Sequence, residues 1–399
     1  MSPPNPGDRL DIAVLLDSPD EDWRAMDLAG EMLVTQWRSG DFRVTCTPIS
    51  LPIPRIVRRL PGTGRTKLAR NADRALVRYL AYPARALAAR RPGRLFHVVD
   101  HSYAQVVHVL PAHRTGVYCH DIDVLRPVIA PDRDRRPPSA LRALASVIRG
   151  ALQSAAVVFH STRQVGSELE TTGVVPRSRL VLAPYGIAPE FTPRHDPRDG
   201  TDGFLAALGG HPYALHVGSE IERKRLDVLF EVFARLLAKH PALRLVQQGA
   251  ALTSAQRAQI RKLGIGHALI QPPKLARASL AGLYRRASVV LVPSSGEGFG
   301  FPVIEAIACG ATVVASDLPV LREVGADAAL YAPLADVQAW TAIVDGVLCG
   351  SVEKPRPERC SQRARLFTWQ EHARIILDAY RGIAKGRFAP STPPRQRSG

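Results

Sequence analysis

The stretch "PSSGEGFGFPVIEA", residues 293–306, sets three glycines, two glutamates and two prolines between two apolar runs. The preceding "ASVVLVPSS" reads as a buried strand, and the following "IACGATVVASD" as a short helix that turns into another strand. A plain turn needs one glycine and no carboxylate. Open parallel sheets bind ligands beyond the carboxyl ends of their strands, which is where this loop falls, with Pro302 in the first turn of the next helix. Gly296, Gly298 and Gly300 would let main-chain N–H groups approach a ligand closely, and a helix N-terminus carries about half a positive charge. That suits a pyrophosphate or sugar oxygens. Glu297 stands in the loop and Glu305 eight positions on, and a carboxylate can accept hydrogen bonds from two vicinal hydroxyls, as on a ribose.

Working outward, the same grammar recurs. "DIAVLLD", "RLFHVVD", "TGVYCHD" and "AAVVFHS" are short apolar runs separated by helix-compatible stretches such as "EDWRAMDLAGEMLVTQW". Alternation of this kind predicts βα units around a parallel sheet. A segment dense in Pro, Gly and Asp follows, and then the pattern restarts with "YALHVGS", "RLVQQG", "SVVLVPS" and "TVVASD". The expected organisation is a flexible N-terminus over 1–9, a first domain over 10–190, a linker over 191–210 and a second domain over 211–365. A helix over 366–384 and a disordered tail over 385–399 complete it. Within that last helix Thr368 and Glu371 have the spacing of a capping box.

Two further stretches carry candidate site residues. In "HVGSEIERKRLDVLF" a strand ends at Gly218 and a helix begins after Lys224. Arg223 and Lys224 therefore sit on a loop at a strand's carboxyl end, where cations can neutralise a departing diphosphate. Taken alone, they are also two surface cations before a helix. In "VYCHDIDVLRP", His120 and Asp121 follow a strand and belong at the ligand edge of the first domain. Asp100 and His101, at the end of a neighbouring strand, could line the same edge, but the structural reading is favoured for them.

Composition bounds the rest. A chain of 399 residues, nearly half of them hydrophobic, suits two domains with sizeable cores. No apolar run reaches the length of about 18 residues that argues for a membrane span, and "MSPPNPGDR" lacks the layout of a signal peptide. Cys46, Cys119, Cys309, Cys349 and Cys360 show no zinc spacing and fit reduced thiols. The formal charge is +17, and between Leu51 and Arg94 twelve Arg or Lys residues face one acid, Asp73, a local balance of +11. Such a field attracts nucleic acid, anionic lipid or a phosphorylated substrate without discriminating among them, or it is a solvated basic face. "PGTGRTK" at 61–67 has neither the spacing nor the preceding strand of a P-loop.

Together these residues resemble a retaining glycosyltransferase of family 4, over approximately residues 11–383. "EGFGFPVIEAIACGATVVASDLPVLREV" is similar to the family's E-x7-E motif, with Glu297 and Glu305 at its two positions. The resemblance implies the GT-B fold: two Rossmann-like domains facing a central cleft, with a C-terminal helix crossing back to the first. It implies that Glu305 binds the nucleotide ribose. Glu297 and the main chain of Gly298, Phe299 and Gly300 would contact the donor sugar. Lys224, helped by Arg223, would hold the diphosphate next to Gly218 and Ser219, and His120 would lie near the sugar hydroxyls. Two departures stand out. The family often has Arg where this chain has Ser219, so Arg223 is left to supply that contact. The glycine-rich loop many members carry after the first strand is absent, since "DSPDEDWRAM" has no glycine.

The implied reaction is transfer of a hexose, mannose or a similar sugar, from a nucleotide-diphosphate sugar to an acceptor hydroxyl in polysaccharide or glycolipid assembly. The donor is a substrate, and no cofactor or metal is expected. A cytoplasmic protein is expected, resting peripherally on anionic membrane through its basic region. The rival readings are a nucleotide-sugar epimerase or hydrolase of related fold and a basic nucleic-acid-binding protein. The latter is disfavoured because only Tyr79 and Tyr82 interrupt the basic segment and no binding module is recognisable.

Overall fold

The computed structural model describes residues 9–21, 23–39, 42–59, 66–129, 137–197 and 199–387. The expected flexible start over 1–8, the tail beyond 387 and the glycine-rich 61–65 lie outside the described residues. The chain divides into two compact units, one of Met1–Gly186 with Trp369–Gly399 and one of Ile187–Thr368.

The first unit is built on a six-stranded parallel sheet. Its strands are β1 (Leu10–Leu15), β2 (Val44–Ile49), β3 (Leu95–Val98), β4 (Thr115–Cys119), β5 (Val157–His160) and β6 (Leu180–Leu182), in the order β2-β1-β3-β4-β5-β6. The central strands β3, β4 and β5 are buried along their whole length, which is why they read as continuous apolar runs rather than alternating ones. The helix Trp369–Ala384 returns to this unit. Its Tyr380 hydroxyl donates to the Phe96 carbonyl at 2.8 Å, which leaves the His97 ring to donate from Nδ1 to the Tyr380 hydroxyl oxygen at 3.0 Å. Trp37 Nε1 donates to the Ala373 carbonyl at 3.1 Å. Gly116 on β4 makes room for the contact, because a Cβ there would stand 2.6 Å from the Tyr380 oxygen.

The second unit has a sheet of β7 (Tyr213–Val217), β8 (Arg244–Gln248), β9 (Leu269–Ile270), β10 (Val289–Val292), β11 (Val313–Ser316) and β12 (Leu330–Ala332). All pairings are parallel, in the order β12-β11-β10-β7-β8-β9. The helix Leu226–Lys239 buries Leu226, Leu229, Phe230, Phe233 and Leu236 against this sheet, as the apolar spacing of its sequence requires. The stretch expected to be a linker, 191–210, packs within this unit. Asp199 is buried, accepts from the Thr201 amide at 3.0 Å and pairs with Arg285 at 2.7 Å, so an ion pair pins the segment to the helix Arg277–Arg286.

Strand order decides where ligands go. In each sheet the order reverses once, between β1 and β3 in the first unit and between β7 and β10 in the second. Loops leaving the two strands at such a reversal run to opposite faces and open a crevice at the carboxyl edge. Among the described residues no helix is long and apolar enough to cross a membrane, and all five cysteines are free thiols.

Candidate functional site

The reversal in the second sheet is where the glycine loop and the cation pair meet. β10 ends at Val292, and the helix Phe301–Ala308 begins nine residues later with Pro302 in its first turn. The residue before that helix, Gly300, has φ of +94°, and a Cβ there would approach a methyl of Leu321 to 2.6 Å. Glycine is therefore required at that position by conformation and by space. Gly296 is different: a Cβ there would meet nothing within 4 Å, so the loop beside Glu297 borders open space.

β7 ends at Val217, and a single 3-10 turn, Glu222–Lys224, leads to Arg225 at φ +49° and then into the helix Leu226–Lys239. That turn lies against the β10 loop: the Ser295 amide donates to the Arg223 carbonyl at 2.8 Å, and Arg223 Nη1 donates to the Gly296 carbonyl at 2.9 Å. The side chains converge on one carboxylate. Glu297 accepts from Lys224 Nζ at 2.6 Å, from Ser294 Oγ at 2.7 Å and from Arg223 Nη1 at 3.2 Å. Its side chain is 6% exposed. Burial alone would raise its carboxyl, but Lys224 and then Arg223 outweigh that and hold it below its ordinary value. Two cations against one carboxylate leave an excess positive charge at the mouth of the loop, as an anionic ligand needs.

Glu305 has the opposite environment. It lies on the helix Phe301–Ala308, is 8% exposed, and accepts from the Tyr284 hydroxyl at 3.1 Å. Burial raises its carboxyl to about 7. A carboxylate in that state gains most from a ligand that brings hydroxyl donors.

The first sheet's reversal carries other chemistry. Asp17 follows β1, Asp100 and His101 follow β3, and His120 follows β4; all four are buried. Asp100 accepts from the Ser102 amide at 2.7 Å, and His101 Nδ1 accepts from the His120 amide at 3.3 Å. His120 Nδ1 pairs with the Tyr185 hydroxyl, while its Nε2 is buried with no hydrogen-bond partner. Burial depresses the His120 imidazole to about 3, so the ring is neutral at physiological pH. Asp17 has both oxygens buried without a donor, and burial followed by the neighbouring Asp100 pushes its carboxyl well above the usual range. Asp100, His101 and His120 each offer a ligand atom within 4.8 Å of the others, so by residue type they could hold a cation. Where the expected glycine loop is missing, the turn Pro19–Glu21 instead clamps the basic segment. Asp20 accepts from the Ile53 amide at 2.6 Å, and Glu21 pairs with Arg78 at 3.0 Å and Arg74 at 3.2 Å.

Comparison with known proteins follows the same division. Residues 203–367 match the family described as Glycosyl transferases group 1. The second unit carries a group 1 glycosyltransferase domain. Over 245 residues the chain is 31% identical to the D-inositol 3-phosphate glycosyltransferase of Xylanimonas cellulosilytica, a match covering 57% of each chain. Over 263 residues it is 25% identical to the O-antigen chain mannosyltransferase B of Escherichia coli, covering 61% of this chain and 65% of that one. Its matches to the first curated relatives span between 35% and 57% of their lengths. Among solved structures, sucrose-phosphate synthase from Thermosynechococcus elongatus superposes with a TM-score of 0.70 at 18% identity, covering 95% of this chain and all of that one. WaaG, a glycosyltransferase involved in lipopolysaccharide biosynthesis, does so at 0.70 and 17%, covering 94% and 100%. Anabaena HepE, solved with UDP and glucose, gives 0.69 at 15%, again covering 94% and 100%. The fold is GT-B.

Within the group 1 domain the structure brings Arg223, Lys224 and Glu297 into contact and sets Gly218 beside them. A Cβ on Gly218 would stand 3.5 Å from Lys224 Cδ. Ser219 follows, half-buried, in the same loop. Gly298, Phe299 and Gly300 complete the loop, with Phe299 buried and edge-on to Phe367 at 5.7 Å. His120 is placed with Tyr185 and His101 in the first unit. Several supporting residues carried no signal in the sequence. Tyr284 holds Glu305, Ser294 holds Glu297, and Gln247 Nε2 donates to the Gly218 carbonyl at 3.1 Å. Gly249 lets that carbonyl in, since a Cβ there would lie 1.8 Å from it. Only the short spacing of Ser294 from Glu297 could have pointed to one of them.

Proposed function

We propose that the protein is a retaining glycosyltransferase of family 4 that moves a hexose, mannose or a similar sugar, from a nucleotide-diphosphate sugar to an acceptor hydroxyl. The observation that carries this reading is the convergence of Lys224 and Arg223 on Glu297 at the reversal of the second sheet, with Glu305 one turn into the adjoining helix. Glu305 takes the ribose hydroxyls, and Lys224 and Arg223 hold the diphosphate. Glu297 and the main chain of Gly298, Phe299 and Gly300 take the sugar. The acceptor oxygen bonds to the anomeric carbon on the face the leaving group departs from. As the bond from that carbon to the diphosphate breaks, a phosphate oxygen receives the acceptor's proton. Catalysis is then positioning and charge stabilisation, with no covalent intermediate, cofactor or metal required.

The names of similar proteins support the class: an inositol phosphate glycosyltransferase, an O-antigen mannosyltransferase, and a structure holding UDP and glucose. A place in polysaccharide or glycolipid assembly follows from them. The basic region over 51–94 rests on the anionic inner face of the cytoplasmic membrane, and nucleic acid is not a partner. The test is a panel of UDP- and GDP-sugars scored by thermal shift, repeated with Glu305→Ala. One donor is expected to raise the melting temperature of the wild type and not of the variant. Stabilisation of neither protein, or equal stabilisation of both, contradicts the assignment. Release of free sugar or an isomer from donor alone, faster than transfer, would favour the hydrolase or epimerase.

A further inference from the structure

The basic segment is not a uniform field. Among the described residues it contains a cavity of about 130 Å³ lined by Arg55, Arg58, Arg70 and Arg74 together with Ile53 and Asp20. Two of the arginines are fixed from behind. Arg58 Nε donates to the fully buried Asp73 at 2.8 Å, and Arg74 reaches the buried Glu21 at 3.2 Å. A guanidinium has five N–H donors, so each keeps others for a ligand. Arg55 and Arg70 are exposed and in no ion pair among the described residues. The one acid in the lining, Asp20, has an oxygen committed to the Ile53 amide at 2.6 Å. Four forks against one carboxylate, two of them held in place before any ligand arrives, match a tetrahedral oxyanion that takes paired hydrogen bonds from Arg. Asp20 follows β1 and Ile53 follows β2, so the cavity lies at the carboxyl edge of the first sheet.

The chain neighbours of these arginines point to what carries the oxyanion. Ile56, between Arg55 and Arg58, is 57% exposed, and Leu68, two residues before Arg70, is 80% exposed. Tyr79 and Leu80, farther along the same segment, are exposed as well. Large apolar side chains held in water beside arginines fit a surface whose ligand is charged at one end and hydrocarbon at the other. We propose that this cavity binds the phosphate of an anionic lipid, with Ile56 and Leu68 entering the acyl boundary beside it. The site rests on the membrane contact proposed above and gives it an address: four arginines rather than the whole segment.

The test is co-sedimentation of the full chain with vesicles of phosphatidylcholine, with and without phosphatidylglycerol. The wild type is expected to bind only the anionic vesicles and to be released by excess inorganic phosphate. R55Q/R70Q should bind about tenfold more weakly, whereas R90Q/R91Q, the same change of charge elsewhere in the segment, should keep most of its binding. Circular dichroism checks that the variants fold, and a donor-induced thermal shift retained in R55Q/R70Q reads the donor site separately. Equal loss in the two double variants would show a diffuse field and overturn the site, as would no loss in R55Q/R70Q. Stabilisation by inorganic phosphate without vesicle binding would overturn the lipid as its source.

Discussion

The two sheet reversals are built alike and charged differently. At the second sheet's reversal the carboxylates are partnered: Glu297 holds Lys224, Arg223 and Ser294, and Glu305 holds Tyr284, while the buried His216 bonds the Leu291 carbonyl through Nδ1 and leaves Nε2 without a partner. At the first sheet's reversal Asp17 has no donor on either oxygen and His120 Nε2 has none. One edge is a finished electrostatic device whose cations stay oriented by a buried carboxylate. The other is a buried polar pocket with unspent hydrogen-bonding capacity, and buried polar atoms of that kind ask for an explanation. The difference teaches that the second sheet's reversal is preorganised by charge, whereas the first sheet's reversal holds neutral or proton-sharing groups.

Breaking the charged edge should have the largest effect. Lys224→Met is expected to lower transfer by about 10² to 10³-fold, the usual consequence of removing one donor that stabilises a developing anion. It should also lower the melting temperature, because the buried Glu297 then keeps one cation, Arg223, and the Ser294 hydroxyl. The double variant Lys224→Met with Glu297→Met separates the two roles, since removing both partners of a buried pair is far less destabilising than removing one. Thermal stability should recover while activity stays lost. Recovery of both would mean that the pair is structural.

Gly300→Ala comes next. Its φ of +94° and the 2.6 Å approach to Leu321 should destabilise the domain by about 1–3 kcal/mol, read by denaturant unfolding.

Glu305 sharpens the comparison through pH. Its carboxyl is raised to about 7 by burial, against about 4.3 for an unperturbed glutamate. Between those values the folded state binds more protons than the unfolded state, so stability falls as pH rises through that window and levels off above it. Ribose hydroxyls donate to the ionised form, so donor affinity should rise as pH climbs through the carboxyl's value. Glu305→Gln should flatten both profiles. An affinity profile unchanged in the variant would place the ribose elsewhere.

The smallest effect is expected at the first reversal. Asp17 is also raised, by burial and then by Asp100, so it too makes stability fall as pH rises above the ordinary carboxylate range. Asp17→Asn supplies an amide that can donate to Asp100. It should change stability at neutral pH by no more than about 1 kcal/mol while removing that slope.

What the sequence made legible follows the same contrast. The glycine loop, the two glutamates and the cation pair lie within short stretches, and their strand–loop–helix setting is marked by apolar periodicity and Pro302. Chain order alone therefore places them at strand ends. Tyr284, Gln247 and Gly249 act from other elements, and nothing local to them marks the contact with Glu305 or Gly218. The segment over 191–210 looked like a connector because Pro, Gly and Asp dominate it. Its attachment through Asp199 to Arg285 is a pairing across 86 residues that composition does not reveal. The missing glycine after β1 was visible as an absence. That Asp20 and Glu21 instead fasten the basic segment was not, because the Ile53 amide that Asp20 meets and the Arg74 and Arg78 that Glu21 meets all lie far along the chain.

The central claim is that the cations gathered on Glu297 hold a diphosphate. Calorimetric titration of the wild type and Lys224→Met with UDP, GDP and the corresponding monophosphates tests it most directly. One diphosphate is expected to bind the wild type at least about tenfold more tightly than its monophosphate, a difference of about 1.4 kcal/mol, and the gap should close in Lys224→Met. Equal affinity of diphosphate and monophosphate for the wild type, or a gap that survives the substitution, would contradict the account.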